Sequence, residues 1–243
     1  MKTSLALATL GLAPVFGHAV GLQWSLDRAP QSGLNDIVFP LDFTNAAHIA
    51  GYEYAVEFSF ANARSTATTV AFRTGSKNAT SVDTITLSSP SLGLLPQQPK
   101  EPNCERGSGS DGRNEQVHCL VMNKNGYHSS YNLAIKRMAP STWVATLKDV
   151  RTGITTHIGS FNYAQNGNIA TNGNMYINAV TTCNKLRSTE VAFGGPTSQN
   201  TNTDYGFGSV QLENRYLFAC GKKSDVKAST VGHGGLQVKV LLK

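Results

Sequence analysis

Few side chains in this 243-residue sequence combine the type and the spacing that chemistry demands. The acidic ones come first, because hydrolysis of a glycosidic bond uses two carboxyl groups about 5 to 9.5 Å apart across the scissile bond. Glu53 and Glu57 lie on one side of an alternating stretch, but four residues at about 3.3 Å each put their backbones about 13 Å apart along a strand. They are not a natural pair within that strand. Either one can pair across strands with Glu190 or Glu213, provided that these share its sheet face. Glu53, Glu57 and Glu190 are thus the candidate catalytic residues, and no complete catalytic constellation accompanies them.

Nucleophile chemistry fits less well. A serine nucleophile elbow requires GxSxG on a strand-to-helix turn, and neither Gly107-Ser108-Gly109-Ser110 nor Gly206-Phe207-Gly208-Ser209 has that form. Gly232-His233-Gly234-Gly235 reads as a bend before a last strand. His118 adjoins Cys119, but strand neighbours point to opposite faces, which leaves that thiol without a base. The cysteines Cys104, Cys119, Cys183 and Cys220 show no CxxC knuckle and no histidine pair at ligand spacing, so no metal site and no cofactor is expected. His48, His128 and His157 stand isolated along the chain.

Binding chemistry is a better match. Tyr127 and His128 sit in a polar stretch with Asn123, Lys124, Asn125 and Ser129, a mixture suited to hydrogen-bonding a sugar while an aromatic face stacks on it. The ligand-binding candidates are accordingly Tyr127, His128, Asn125 and Glu57, with Tyr163, Tyr176 and Tyr205 in similar surroundings. Asn78-Ala79-Thr80 is a glycosylation sequon in a turn, usable in an exported protein.

The elements that must position these groups are strands. Tyr52, Tyr54, Val56, Phe58 and Phe60 alternate with Glu53, Ala55, Glu57 and Ser59, the period-two pattern of a half-buried strand. Further strands are expected over 66–73, 84–87, 117–122, 131–136, 143–150, 155–161, 174–180, 188–193, 208–213, 216–220 and 237–242. Pro140 separates two of them and Thr152-Gly153 closes a hairpin between two others. No amphipathic helical stripe appears. The fold class predicted is all-β, a two-layer antiparallel β-sandwich or jelly roll stapled by two disulfides. The one long break, 95–114, reads as a polar loop tied down by Cys104 with Cys119; Cys183 with Cys220 is the favoured second pair.

The ends of the chain set the compartment. Lys2, the apolar stretch 5–16 and Gly17-His18-Ala19 form a secretory signal, expected to be cleaved after Ala19. Residues 20–243 are then one secreted extracellular domain with no transmembrane segment. The formal charge of +6 is scattered, without a basic run, which excludes a nucleic-acid partner and leaves a mildly cationic surface.

The order Pro102-Asn103-Cys104, Cys119, Gly126-Tyr127-His128, Tyr131 to Arg137, Trp143, Asp149 with Thr152-Gly153, His157 to Ser160, Cys183, Glu190 to Pro196 and Cys220 resembles an uncharacterised family of secreted proteins of actinomycetes and filamentous fungi, related to a domain of unknown function. The resemblance covers residues 50–220 and implies a secreted β-sandwich in which Trp143 is a buried anchor, Gly153 a turn residue and the cysteines staples. It implies no activity. The function expected from the sequence is a non-enzymatic extracellular binding or effector-type protein whose partner is a polysaccharide or a cell-surface component. The alternatives are a carbohydrate-active hydrolase using a cross-strand Glu pair and a structural wall or matrix protein.

Overall fold

The computed structural model of the chain describes residues 18–61, 67–75, 83–90, 101–108, 115–123, 126–163, 167–179, 186–199, 207–214 and 224–242. Every regular element among them is a strand: β1 (His18–Ser25), β2 (Asp36–Asp42), β3 (Tyr52–Phe60), β4 (Ala67–Arg73), β5 (Asp83–Pro90), β6 (Cys104–Ser108), β7 (Glu115–Asn123), β8 (Ser130–Ala139), β9 (Thr142–Asp149), β10 (Thr155–Asn162), β11 (Ile169–Ala179), β12 (Thr189–Phe193), β13 (Ser209–Asn214), β14 (Ser224–Val231) and β15 (Gly235–Leu242). They make two antiparallel sheets, one of eight strands in the order β13-β1-β11-β3-β4-β5-β7-β6 and one of seven in the order β10-β9-β8-β2-β12-β15-β14.

Alternation drives this arrangement. On β3, Tyr52, Tyr54, Val56, Phe58 and Phe60 are buried against the second sheet, while Glu53, Ala55, Glu57 and Ser59 face the other way. On β8 and β9, buried and half-buried residues alternate in the same manner. The aromatic residues lock the two layers together. Phe60 stacks on Tyr163 with ring centroids 3.9 Å apart and meets Trp143 edge-on at 5.2 Å, and Phe43 is surrounded by Tyr54, Phe72 and Tyr127. Trp143 is fully buried, as an anchor should be. Gly153, at φ +73°, turns the chain between β9 and β10, a backbone conformation that side chains other than glycine's resist.

The sequence reading missed four strands, β1, β2, β6 and β14. β1 alternates Val20, Leu22 and Trp24 inward, but its pattern merges into the apolar leader-like segment; the expected cleavage point after Ala19 falls within it. β6 corrects the long-loop expectation, because Cys104–Ser108 pairs residue by residue with β7. Cys104 and Cys119 are directly opposed, with Cα atoms 3.9 Å apart, and form a disulfide. One staple is therefore seen where two were expected; the other pair, Cys183 with Cys220, lies outside the described residues. So do Asn78, Asn125, Tyr205 and the strand expected over 216–220. No helix among the described residues is long and apolar enough to cross a membrane.

Candidate active site

The register of the eight-stranded sheet lines up one polar track on its open face. Gln211 lies opposite Gln23, Gln23 opposite Asn174, Asn174 opposite Glu57, Glu57 opposite Thr69, Thr69 opposite Ser88, and Ser88 opposite His118. Since side chains alternate across a strand and stay aligned across a ladder, these residues form a row perpendicular to the strands. The next row is different: Gly21, Tyr176, Ala55, Ala71 and Thr86 are in register. Three of these five side chains are no larger than a methyl group, so the sheet surface dips beside the polar track. Tyr176 lies in that dip. Burial, reinforced by the Glu57 charge and opposed by the Thr69 hydroxyl, pushes its phenol up to about 12.

Glu57 stands at the middle of the track. Asn174 Nδ2 donates to its Oε1 at 3.2 Å across the β3–β11 ladder. Its backbone is fixed from below: the fully buried Trp24 donates its indole N–H to the Glu57 carbonyl at 3.0 Å. This approach is possible because Gly173, opposite Trp24, has no side chain where the indole passes. Four residues along, Glu53 is 8% exposed and committed to structure. Arg73 Nε meets its Oε2 at 2.5 Å and Asn178 Nδ2 its Oε1 at 3.0 Å. Glu53 is thus neutralised by a guanidinium, whereas the hydrogen bond to Glu57 comes from a neutral amide.

The remaining candidates separate. Glu190 is on the other sheet, where Gln237 and Lys239 engage it at 2.7 and 2.9 Å. It shares no face with Glu57. Glu213 reaches the open face beside Gly21, its Oε2 3.8 Å from where a Cβ would stand, but Gly21 is two strands from β3, roughly 10 Å at the usual strand spacing. The structure brings Glu57 together with an amide rather than with a second carboxylate. Sequence reasoning had no access to Asn174, because its significance comes from the ladder alone.

Tyr127 corrects the expected sugar platform. Its ring is fully buried among Phe43, Phe72 and Tyr131, and its hydroxyl donates to the Thr84 carbonyl at 2.7 Å, so no face is free to stack on a ligand. Tyr163 is equally buried beneath Phe60. His128 is exposed, as expected, on the wall of a cleft of about 250 Å³ that Asp149, Arg151 and Ile154 also line. It faces His48, not Glu57.

The class defined by these features is a two-sheet antiparallel sandwich carrying a carboxylate–amide pair on the open face of its larger sheet. No family model and no curated protein matches the chain. Similar solved structures include a scytalido-glutamic peptidase with a transition-state analog inhibitor, at 12% identity and TM-score 0.46 over 93% of this chain and 98% of that one. Another is SCP-B, a member of the eqolisin family of peptidases in complex with the tripeptide Ala-Ile-His, at 12% identity and TM-score 0.45 over 93% of this chain and 100% of that one. The expectation of a non-enzymatic glycan-binding or effector protein is corrected at this point. The finding that overturns it is the burial of the Tyr127 ring, the platform on which that expectation stood.

Proposed function

We propose that this protein is a hydrolase in which the Glu57 carboxylate and the Asn174 amide act together on a carbonyl substrate lying along the polar track. The observation that carries the proposal is the 3.2 Å hydrogen bond joining the two side chains on the open face. A carboxylate at that position can take a proton from an attacking water. An amide N–H beside it can turn to the oxygen on which charge develops. Glycoside hydrolysis asks instead for two carboxyl groups within about 9.5 Å, and the nearest carboxylate on the same strand is held by Arg73. The peptide bond is therefore the substrate class favoured. The peptidases named above share the general architecture; the assignment to this chain rests on the Glu57–Asn174 pair. The proposal includes export, supported by the leader-like segment 1–19 and by the Cys104–Cys119 disulfide, since such bonds persist in oxidising compartments.

The test is a digest of a denatured protein and a peptide library across acid to neutral pH, read by mass spectrometry. Wild type should cleave, Glu57→Gln should lose about 100-fold or more in kcat/KM, and Asn174→Ala about 10- to 100-fold, as removal of a base or an oxyanion donor does. Glu190→Gln should be unaffected. No cleavage by wild type, or full cleavage by Glu57→Gln, defeats the proposal.

A further inference from the structure

We propose a second, separate site: His48 and His128 form a two-imidazole binding site for a divalent late-transition-metal ion such as zinc. The two residues are 80 positions apart in sequence, yet His128 Nδ1 stands 3.2 Å from His48 Nε2. Two nitrogens on a tetrahedral zinc, with Zn–N bonds of about 2.0–2.1 Å, are separated by about 3.3 Å. The observed spacing therefore needs almost no adjustment. The rings do not meet end to end either. Their centroids are only 4.2 Å apart with planes inclined at 54°, whereas an in-line N–H···N contact of this length would hold them about 5.5 Å apart. The rings lean over one another, and an ion bound by both nitrogens would take the place of the hydrogen bond that joins them.

Both histidines are held by pinned backbone, so the spacing is built in. Beside His48, Ala47 N–H donates to Thr189 Oγ1 at 3.0 Å, and the Ile49 carbonyl accepts from Thr74 Oγ1 at 2.6 Å. On the other side, Tyr127 is anchored by its hydroxyl to Thr84 and by its N–H to Asp83 Oδ2 at 3.1 Å, while the Ser129 carbonyl accepts from Phe43 N–H. Such preorganisation is what ligand side chains on short loops require. A negative charge lies close by: His128 Nε2 and Asp83 Oδ2 both border Gly126, at 2.6 and 3.4 Å from its Cβ position. Asp83 spends its two oxygens on the N–H groups of Gly75 and Tyr127, so it favours a cation without serving as a ligand. His128 is exposed at the cleft, which supplies an entry path and leaves the remaining coordination positions to water. Imidazole is a ligand suited to zinc, copper and nickel.

The experiment is titration of the untagged, full-length protein with zinc chloride, followed by calorimetry and by thermal melting. One saturable ion per chain is expected, with a rise in melting temperature at excess zinc. His48→Gln and His128→Asn should each weaken binding at least 10-fold and abolish that rise. Each variant's melt without zinc reports its folding; should His48→Gln fail to fold, the exposed His128→Asn decides. The combined His118→Gln, His157→Gln and His233→Gln variant should bind as wild type does. Absence of saturable binding at millimolar zinc, or wild-type affinity in the His128→Asn protein, overturns the proposal.

Discussion

Replacing Gly173 by alanine probes the link between core packing and the candidate site. A methyl group at this position would stand 2.4 Å from the Glu57 carbonyl oxygen and 2.8 Å from Trp24 Nε1, the acceptor and donor of the 3.0 Å indole bond. Neither can withdraw freely. The indole is fully buried, and the oxygen belongs to the backbone of the strand that carries Glu57. Overpacking of this kind costs about 1–3 kcal/mol, and loss of the indole hydrogen bond adds about 1 kcal/mol. The expected destabilisation is about 2–4 kcal/mol, or a fall in Tm of about 4–16 °C for a chain of this size. Because the Trp24 indole is bonded to the backbone carbonyl of Glu57, peptide turnover should fall even below the temperature at which the variant unfolds. Gly232→Ala is the control, since nothing lies within 4 Å of its Cβ position and its Tm should shift by no more than that of an ordinary surface substitution, about 0.5 kcal/mol. Scanning calorimetry of the two variants beside wild type checks the reasoning. A Gly173→Ala melt indistinguishable from that of Gly232→Ala would refute it, because the close approach would then have been relieved at no cost.

Three further outcomes are expected. Thr189 Oγ1 accepts from Ala47 N–H at 3.0 Å and pairs with the buried Tyr54 hydroxyl at 2.6 Å; Thr189→Val leaves both without that partner and should lower unfolding free energy in urea by about 2–4 kcal/mol, whereas an unchanged midpoint would count against these bonds. Removing the Cys104–Cys119 bridge by paired serine substitution frees a loop whose ends are 15 residues apart, at a cost of about 3 kcal/mol on the chain-entropy account, again measured by urea unfolding. Burial raises the phenols of Tyr52, Tyr54, Tyr127, Tyr131 and Tyr163, and that of Tyr176 to about 12. A raised phenol pKa means that the folded state holds its proton longer than the unfolded chain does. The associated stability is complete below about pH 10, the unfolded value, and is lost as pH rises through the folded values. Melting temperature should therefore decline above pH 10, with tyrosinate absorbance appearing as the fold is lost; full tyrosine ionisation near pH 10 without unfolding would contradict it.

The legible part of the fold was whatever rests on period-two alternation. Tyr52 to Phe60 showed which side chains go inward, and the hairpin at Thr152-Gly153 could be placed, because both signals are local: neighbours on a strand point oppositely, and a positive-φ turn selects glycine. β6 escaped notice because a five-residue edge strand between polar runs carries too little alternation, and its pairing is written only in the opposed cysteines. Tyr127 was misjudged for a related reason. A polar neighbourhood in sequence says nothing of Phe43 and Phe72, which close over its ring from other strands.

The sequence by itself determined that this chain is all-β and which face of β3 carries Glu53 and Glu57, and it favoured Cys104 with Cys119 among three possible pairings; the structure decided that bond. Tertiary structure alone decided what those carboxylates meet. Register across the β3–β11 and β3–β4 ladders gave Glu53 to Arg73 and Asn178, and Glu57 to Asn174. Sheet membership carried Glu190 away from both, and loop packing set His48 against His128. The physical reason is that alternation is a property of one strand, whereas its partners come from elsewhere in the chain, 20 positions away for Arg73, 80 for the two histidines and 117 for Asn174, and a slip of one residue in a ladder would turn the strand side chains to the opposite face.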